Sequence, residues 1–306
     1  MTDATARRRS AVKAAIVVVV GIVLSGCTVS GELGSSDPTP TPTASRAGTS
    51  DSPSASTPDL TSTKSVQVNQ PLPSRGACYR LTSRDLSRFA NHDKSVPCRT
   101  AHTSVTFFVG RLPAHVVAGT PPVTDAAVQE AASHVCAPGF RQYVGGDWRD
   151  RLLARFNFTY YLPDAVSVGP GSNWVRCDLY LTRRVEGGKT YPHRLPHDAR
   201  GALDRGDALD SFGICSPSAP GTAGFKLLLC SHRHHWRAIA PIRLGSDSTA
   251  WTSVKEVKDR GDSRCSDAVR QWLGYPTTWR YGWQWPTRSD WTSGQRFGYC
   301  WAQFSG

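Results

Sequence analysis

The sequence predicts an α+β fold: two tandem small domains, each an antiparallel sheet with one or two helices packed on one face, braced by disulfides. Three observations carry that prediction. Eight of the nine cysteines lie between Cys78 and Cys300, in two sets of four. The residues around those cysteines recur in the same order, which is how a duplicated unit looks in sequence. Within each set a β-like stretch precedes a helical one, and alternating strands follow it with turns too short for parallel crossovers.

The chain opens with Arg7, Arg8, Arg9 and Lys13, followed by an apolar run over 14–24. That run is shorter than the ~20 apolar residues a membrane-spanning helix needs. Leu24-Ser25-Gly26-Cys27 ends it, and small residues before a cysteine resemble the lipobox of bacterial lipoproteins. The expectation is a lipoprotein signal peptide over 1–26, with Cys27 as the new N-terminus carrying lipid (palmitate). The rest of the chain then sits on the extracytoplasmic face of the plasma membrane, lipid-anchored. The alternative is an uncleaved N-terminal anchor with Cys27 an ordinary thiol.

Residues 27–73 are rich in Ser, Thr and Pro, with PTPTPT at 38–43. Such a stretch has too little apolar surface to offset the entropy of ordering it. It is expected to be a disordered tether, held extended by proline.

Setting Cys27 aside leaves an even number of cysteines, which outside the cytoplasm argues for four disulfides. No C-x-x-C pair occurs, so a thiolate zinc site is disfavoured. Spacing alone leaves three pairings per set. The working expectation joins first with second and third with fourth: Cys78–Cys98, Cys136–Cys177, Cys215–Cys230 and Cys265–Cys300.

The repeat markers are specific. Gly76-Ala77-Cys78 matches Gly213-Ile214-Cys215, and Cys98 and Cys230 are each followed four residues on by a histidine, His102 and His234. Arg141-Gln142-Tyr143-Val144-Gly145 lies as far beyond Cys136 as Arg270-Gln271-Trp272-Leu273-Gly274 lies beyond Cys265. Pro163 precedes Cys177 by the same interval as Pro286 precedes Cys300. The first domain is placed at 74–182, the second at 212–306, and the charged, Gly-rich stretch 183–211 reads as a linker.

The elements follow in order. Val105 to Leu112 is β-like, with Trp236 to Leu244 its counterpart. Asp125 to Val135 is helical in composition, with Thr124 a candidate N-cap. Its counterpart starts at Ser253-Val254-Lys255-Glu256, a capping-box pattern, and is expected to break at Gly261 before a second segment from Ser263 to Leu273. Phe156, Phe158, Tyr160 and Leu162 alternate, as do Trp279, Tyr281, Trp283 and Trp285, each set marking one face of a strand. A last strand carries Cys177 or Cys300.

Gly-x-Cys, a cysteine with histidine four residues on, a helical cysteine, then proline and a late cysteine resemble the septum formation family of actinobacterial envelope proteins. In the first repeat those residues are Cys78, Val96-Pro97-Cys98-Arg99-Thr100-Ala101-His102, Cys136, Pro163 and Cys177. The second, septum-formation-like but divergent, keeps its cysteines, His234, Pro286 and Asp290-Trp291-Thr292-Ser293-Gly294-Gln295-Arg296. The family's usual proline before the histidine is replaced by Ala101 and Arg233, and its usual glutamate three residues after by Val105 and Arg237. The resemblance implies an envelope role near cell division, without a reaction. It also implies that any binding role of that His–Glu pair is lost here.

Candidate chemistry is sparse. His232, His234 and His235 near Cys230 have the residue types of a metal cluster, but Cys230 has a disulfide partner by count, and no metal or other cofactor is expected. His102 and His234 are equivalent, which suggests a hydrogen bond closing a turn after the disulfide; both are also held as candidate binding residues. The tryptophan-rich strand reads as core, with Gln284 and Arg280 on its wetter face, and Trp291 and Trp301 as exposed aromatics available to a ligand. No catalytic motif is present.

The net charge of +12 falls to +9 once the +3 of residues 1–26 is set aside. A basic ectodomain is drawn to anionic lipid or wall polymers. Nucleic acid is excluded by the compartment and by the lack of a reader motif. The expectation is a non-catalytic envelope protein that binds or scaffolds envelope proteins or anionic polymers, in keeping with septum formation. The alternative is a wall-active or metal-dependent envelope enzyme using His102 or the His232–His235 cluster.

Overall fold

The structure, a computed structural model, describes residues 72–113, 116, 126–163 and 173–303. The expected signal peptide, Cys27, nearly all of the tether and the Thr124 cap lie outside the described residues.

The first repeat contains β1 (Cys78–Tyr79), β2 (Ser104–Arg111), α1 (Ala126–Val144), α2 (Trp148–Leu153), β3 (Phe156–Tyr161), β4 (Trp174–Glu186) and β5 (Lys189–His193). After a short helix α3 (Ala208–Phe212), the second contains β6 (Ile214–Ser216), β7 (Leu228–Leu229), β8 (Trp236–Arg243), α4 (Val254–Trp272), β9 (Tyr281–Gln284), α5 (Arg288–Thr292) and β10 (Phe297–Gln303). All strand pairs are antiparallel. One sheet runs β1-β2-β4-β3 with β5 on β4; the other runs β7-β6-β8-β10-β9. Without the additions β5 and β7, the two orders are the same.

The repetition extends to register. Cys177 pairs with Tyr160 on one side and Phe108 on the other. Cys300 pairs with Trp283 and Ala240. The β2–β4 ladder slips between Thr106 and Phe108, and the β8–β10 ladder slips at the equivalent point, between the partners of Ala238 and Ala240. An extra residue in one strand bends it and increases its twist. Both sheets therefore curl at the same place, around the helix on their inner face.

Each helix presents a single row to its sheet. Val128, Ala132, Cys136 and Val144 are buried on α1, and Val257, Gly261, Cys265 and Val269 on α4. A four-residue interval keeps side chains on one helix face. A disulfide fastens each row to the last strand: Cys136–Cys177, with Cα atoms 5.7 Å apart, and Cys265–Cys300, 5.3 Å apart. Ser253 caps α4, its Oγ accepting from the Glu256 N–H at 3.2 Å.

The expected break at Gly261 does not occur, because α4 is continuous from Val254 to Trp272. A Cβ on Gly261 would lie 2.1 Å from the Trp283 ring. Glycine there admits an indole against the helix backbone rather than ending the helix.

The other disulfide of each repeat closes the loop that covers the outer sheet face. Cys78–Cys98 closes the loop whose Asp85 C=O accepts from the Tyr161 hydroxyl at 3.1 Å and whose Phe89 C=O accepts from the Leu162 N–H at 2.7 Å. Tyr79, Leu81, Tyr161 and Trp174 are buried beneath it. Cys215–Cys230 closes the loop that lays Phe225 on Trp301, with ring centroids 5.2 Å apart.

Residues 183–211, expected to be a bare linker, are built into the fold. β4 continues to Glu186 and turns at Gly187-Gly188, with φ of 55° and 72°, into β5. Two residues with positive φ suit the tight hairpin turns that match strand twist. Beyond it, Leu195, Ala199, Ala202, Leu203 and Ala208 enter the first core. The small residues that make this stretch look open in sequence are what let it pack closely.

The two repeats share a seam. Ala154 bridges Gly213, and the Arg155 N–H donates to the Phe212 C=O at 2.8 Å. Phe156 and Phe212 rings lie 4.9 Å apart. Leu153 of the first repeat packs in one cluster with Ile214, Trp236 and Trp301, and Leu229 of the second lies in the first repeat's core. Among the described residues, no helix is long and apolar enough to cross a membrane.

Candidate functional site

The two equivalent histidines do the same thing. His102, on the turn between Cys98 and β2, has its Nδ1 2.8 Å from the Thr100 C=O. His234, on the turn between Cys230 and β8, has its Nδ1 2.6 Å from the His232 C=O. Each contact spans two residues and holds the chain as it enters the strand. His102 is buried, 3% exposed, and its ring lies 6.3 Å from that of His197. It is therefore not displayed to a ligand.

The possible ligating atoms of Cys215, Cys230 and His234 lie within 4.8 Å of one another. The two sulfurs are joined at 1.99 Å, and a disulfide sulfur is not the thiolate that binds a metal. His232 and His235 are exposed at the surface and do not complete the group. The cluster seen in sequence is a braced turn.

Trp291, expected as an exposed aromatic, is 2% exposed. Its Nε1 donates to the Thr249 C=O at 2.9 Å, and the Arg296 guanidinium lies 4.7 Å from its ring. Trp301 is fully buried and donates from Nε1 to Gln284 Oε1 at 3.0 Å. Gln284, expected on the wet face, is thereby tied to the outer-face core. Trp272 and Tyr275 are the large aromatics exposed at the end of α4.

Two charged groups escape the sequence reading. Arg176 and Asp178 flank Cys177 and point to the outer face, where both are almost fully buried and pair at 3.0 Å. The Thr106 hydroxyl donates to Asp178 Oδ1 at 2.7 Å, and Arg176 Nη2 donates to Asn91 Oδ1 at 2.9 Å. The guanidinium lies between the rings of Tyr79 and Tyr161, 4.2 and 4.5 Å from their centroids. Tyr299 and Trp301 take these places around Cys300 in the second repeat. Apolar residues replacing a buried ion pair of similar volume is an energetically open exchange. The signal was present as charges alternating through an otherwise apolar strand.

Arg155, the first residue after the seam bridge, is 5% exposed. Its Nε donates to the Thr182 C=O at 2.8 Å and its Nη2 to the Arg183 C=O at 3.4 Å. Burial pulls its guanidinium down from the usual 12.5 to about 10, partly offset by the Tyr299 hydroxyl nearby. It lines a cleft of about 100 Å³ along the seam, together with outer-face residues of both sheets such as Tyr180, Tyr299 and Trp301.

The family comparison covers this whole architecture. Neither a curated protein nor a solved structure matches the chain. The family model described as "Septum formation" matches residues 75–300, from just before the first disulfide through both sheets to the last cysteine. The chain belongs to the septum formation family.

Proposed function

We propose that this protein is a non-catalytic, lipid-anchored component of the cell envelope that acts at or near the septum as a binding or scaffolding module. The family match along both repeats carries the reading. The way the candidate groups are used supports the non-catalytic part: both repeat histidines hold turns, and the eight cysteines are spent on braces. The anchor is the lipid on Cys27, and the Ser/Thr/Pro-rich stretch after it sets the module away from the membrane. Its partners are envelope proteins or anionic wall polymers, drawn by the net positive charge.

The test is crosslinking in dividing cells followed by recovery of the protein. Envelope proteins or wall material enriched over a Cys27→Ser control, which should leave the membrane fraction, are the expected result. Recovery of neither removes the scaffold reading. His102→Ala and His234→Ala should leave wall turnover unchanged; loss of turnover with the fold intact would instead make the protein an enzyme.

A further inference from the structure

The seam cleft has a composition that nothing in the fold requires. Among the described residues, its walls carry two arginines, Arg151 and Arg155, and no aspartate or glutamate. Arg155 is nine-tenths buried, yet its contacts are to backbone carbonyls, and among the described residues no carboxylate pairs with it. A buried cation without a counterion is costly. Carbonyls meet its Nε–H and one Nη2–H, two of the five N–H groups of a guanidinium, and their dipoles do not neutralise its charge. The pair around Arg176 shows the usual solution in this same chain, a carboxylate at 3.0 Å. The rest of the wall is mostly hydrocarbon and aromatic ring, including Ile214, Leu227 and Trp301.

We propose that this cleft binds a small amphiphilic carboxylate, with its charged end on Arg155 and its hydrocarbon body against Ile214, Leu227 and Trp301. A guanidinium suits a carboxylate because its planar donors match the two oxygens. Size sets a second limit. At ~10–15 Å³ per water-sized occupant, the 100 Å³ of the cleft holds roughly seven to ten non-hydrogen atoms. Both repeats supply wall residues, so the site exists only where the two copies meet.

The probe is hexanoate, titrated into the full ¹⁵N-labelled chain, with hexanamide as the uncharged analogue. Saturable shifts of the Arg155 Nε–H and Trp301 Nε1–H signals are expected, with hexanamide binding at least tenfold more weakly, since a charge-assisted hydrogen bond contributes that much or more. Arg155→Met should weaken hexanoate at least tenfold. Leu227→Trp, which fills the cleft and leaves Arg155 in place, should abolish the shifts without changing the melting temperature. If Arg155→Met does not fold, hexanamide and Leu227→Trp decide. Absence of the shifts, equal binding of hexanamide, or undiminished binding to either folded variant overturns the proposal.

Discussion

Replacing Gly261 by alanine tests how the second repeat is packed. Helix propensity favours the change: alanine in a helix interior is better than glycine by about 1 kcal/mol. Packing opposes it. The new carbon would meet Trp283 at 2.1 Å and a second ring atom at 2.7 Å. The ring has little room to retreat, because its Nε1 donates to the Lys258 C=O at 2.9 Å and a Cβ on Gly298 would stand 2.4 Å from its far edge. Overpacking costs about 1–3 kcal/mol, and so tight a contact belongs at the upper end. The net expectation is a loss of about 2 kcal/mol, or roughly 4–8 °C in Tm for a unit of this size. The first repeat offers an internal control. Ala132 stands where Gly261 does, four residues before the helical cysteine, and the smaller Tyr160 stands where Trp283 does. Gly261→Ala/Trp283→Tyr should therefore cost less than the sum of its single changes by about 1 kcal/mol. Urea unfolding followed by circular dichroism, with disulfides intact, reads all four proteins. A Gly261→Ala protein as stable as the parent, or strictly additive changes, would refute the packing argument.

Other expectations follow from the same contacts. Removing Cys136–Cys177, which closes 41 residues, should cost about 4 kcal/mol in non-reducing urea melts, and removing Cys215–Cys230, which closes 15, about 3. Arg176→Met leaves Asp178 buried without its cation and should cost about 3–5 kcal/mol, whereas Arg176→Met/Asp178→Leu should cost less than that single change. Burial raises the hydroxyls of Tyr143, Tyr160 (to about 12), Tyr161, Tyr180, Tyr281 and Tyr299 above the ordinary value of 10. A folded-state value above the unfolded one means stability is intact below pH 10 and is lost as pH rises from 10 through the folded values. Absorbance at 295 nm should therefore show six of the nine tyrosines ionising late and together with unfolding.

Much of the fold was legible because cysteine spacing and strand alternation are strong local signals. The two-sheet repeat and the alternation from Phe156 follow from period-two patterns and shared offsets; of the matching Trp279–Trp285 stretch, Tyr281–Gln284 forms the strand. The structure pairs the cysteines first with second and third with fourth. What was not legible depended on contacts distant in sequence. Gly261 reads as a breaker until an indole is placed against it. Trp291 looks free until Thr249 and Arg296 are seen around it. Arg155 is an ordinary basic residue until the second repeat closes over it. The Gly187-Gly188 pair has the residues of a hairpin turn, but the charges and glycines around it give the stretch the composition of a linker.

The bridge from Ala154 to Gly213 and the shared apolar clusters have a consequence for ancestry. Duplication ordinarily yields two pieces that can drift, be lost or be traded singly. Here each copy completes the other's interior, so a truncation at residue 182 would strip the first of Leu229 from the second copy and of Leu195, Ala199 and Leu203 from the connecting stretch, and expose what they cover. With that interlock, neither half is expected to persist as a free-standing gene product.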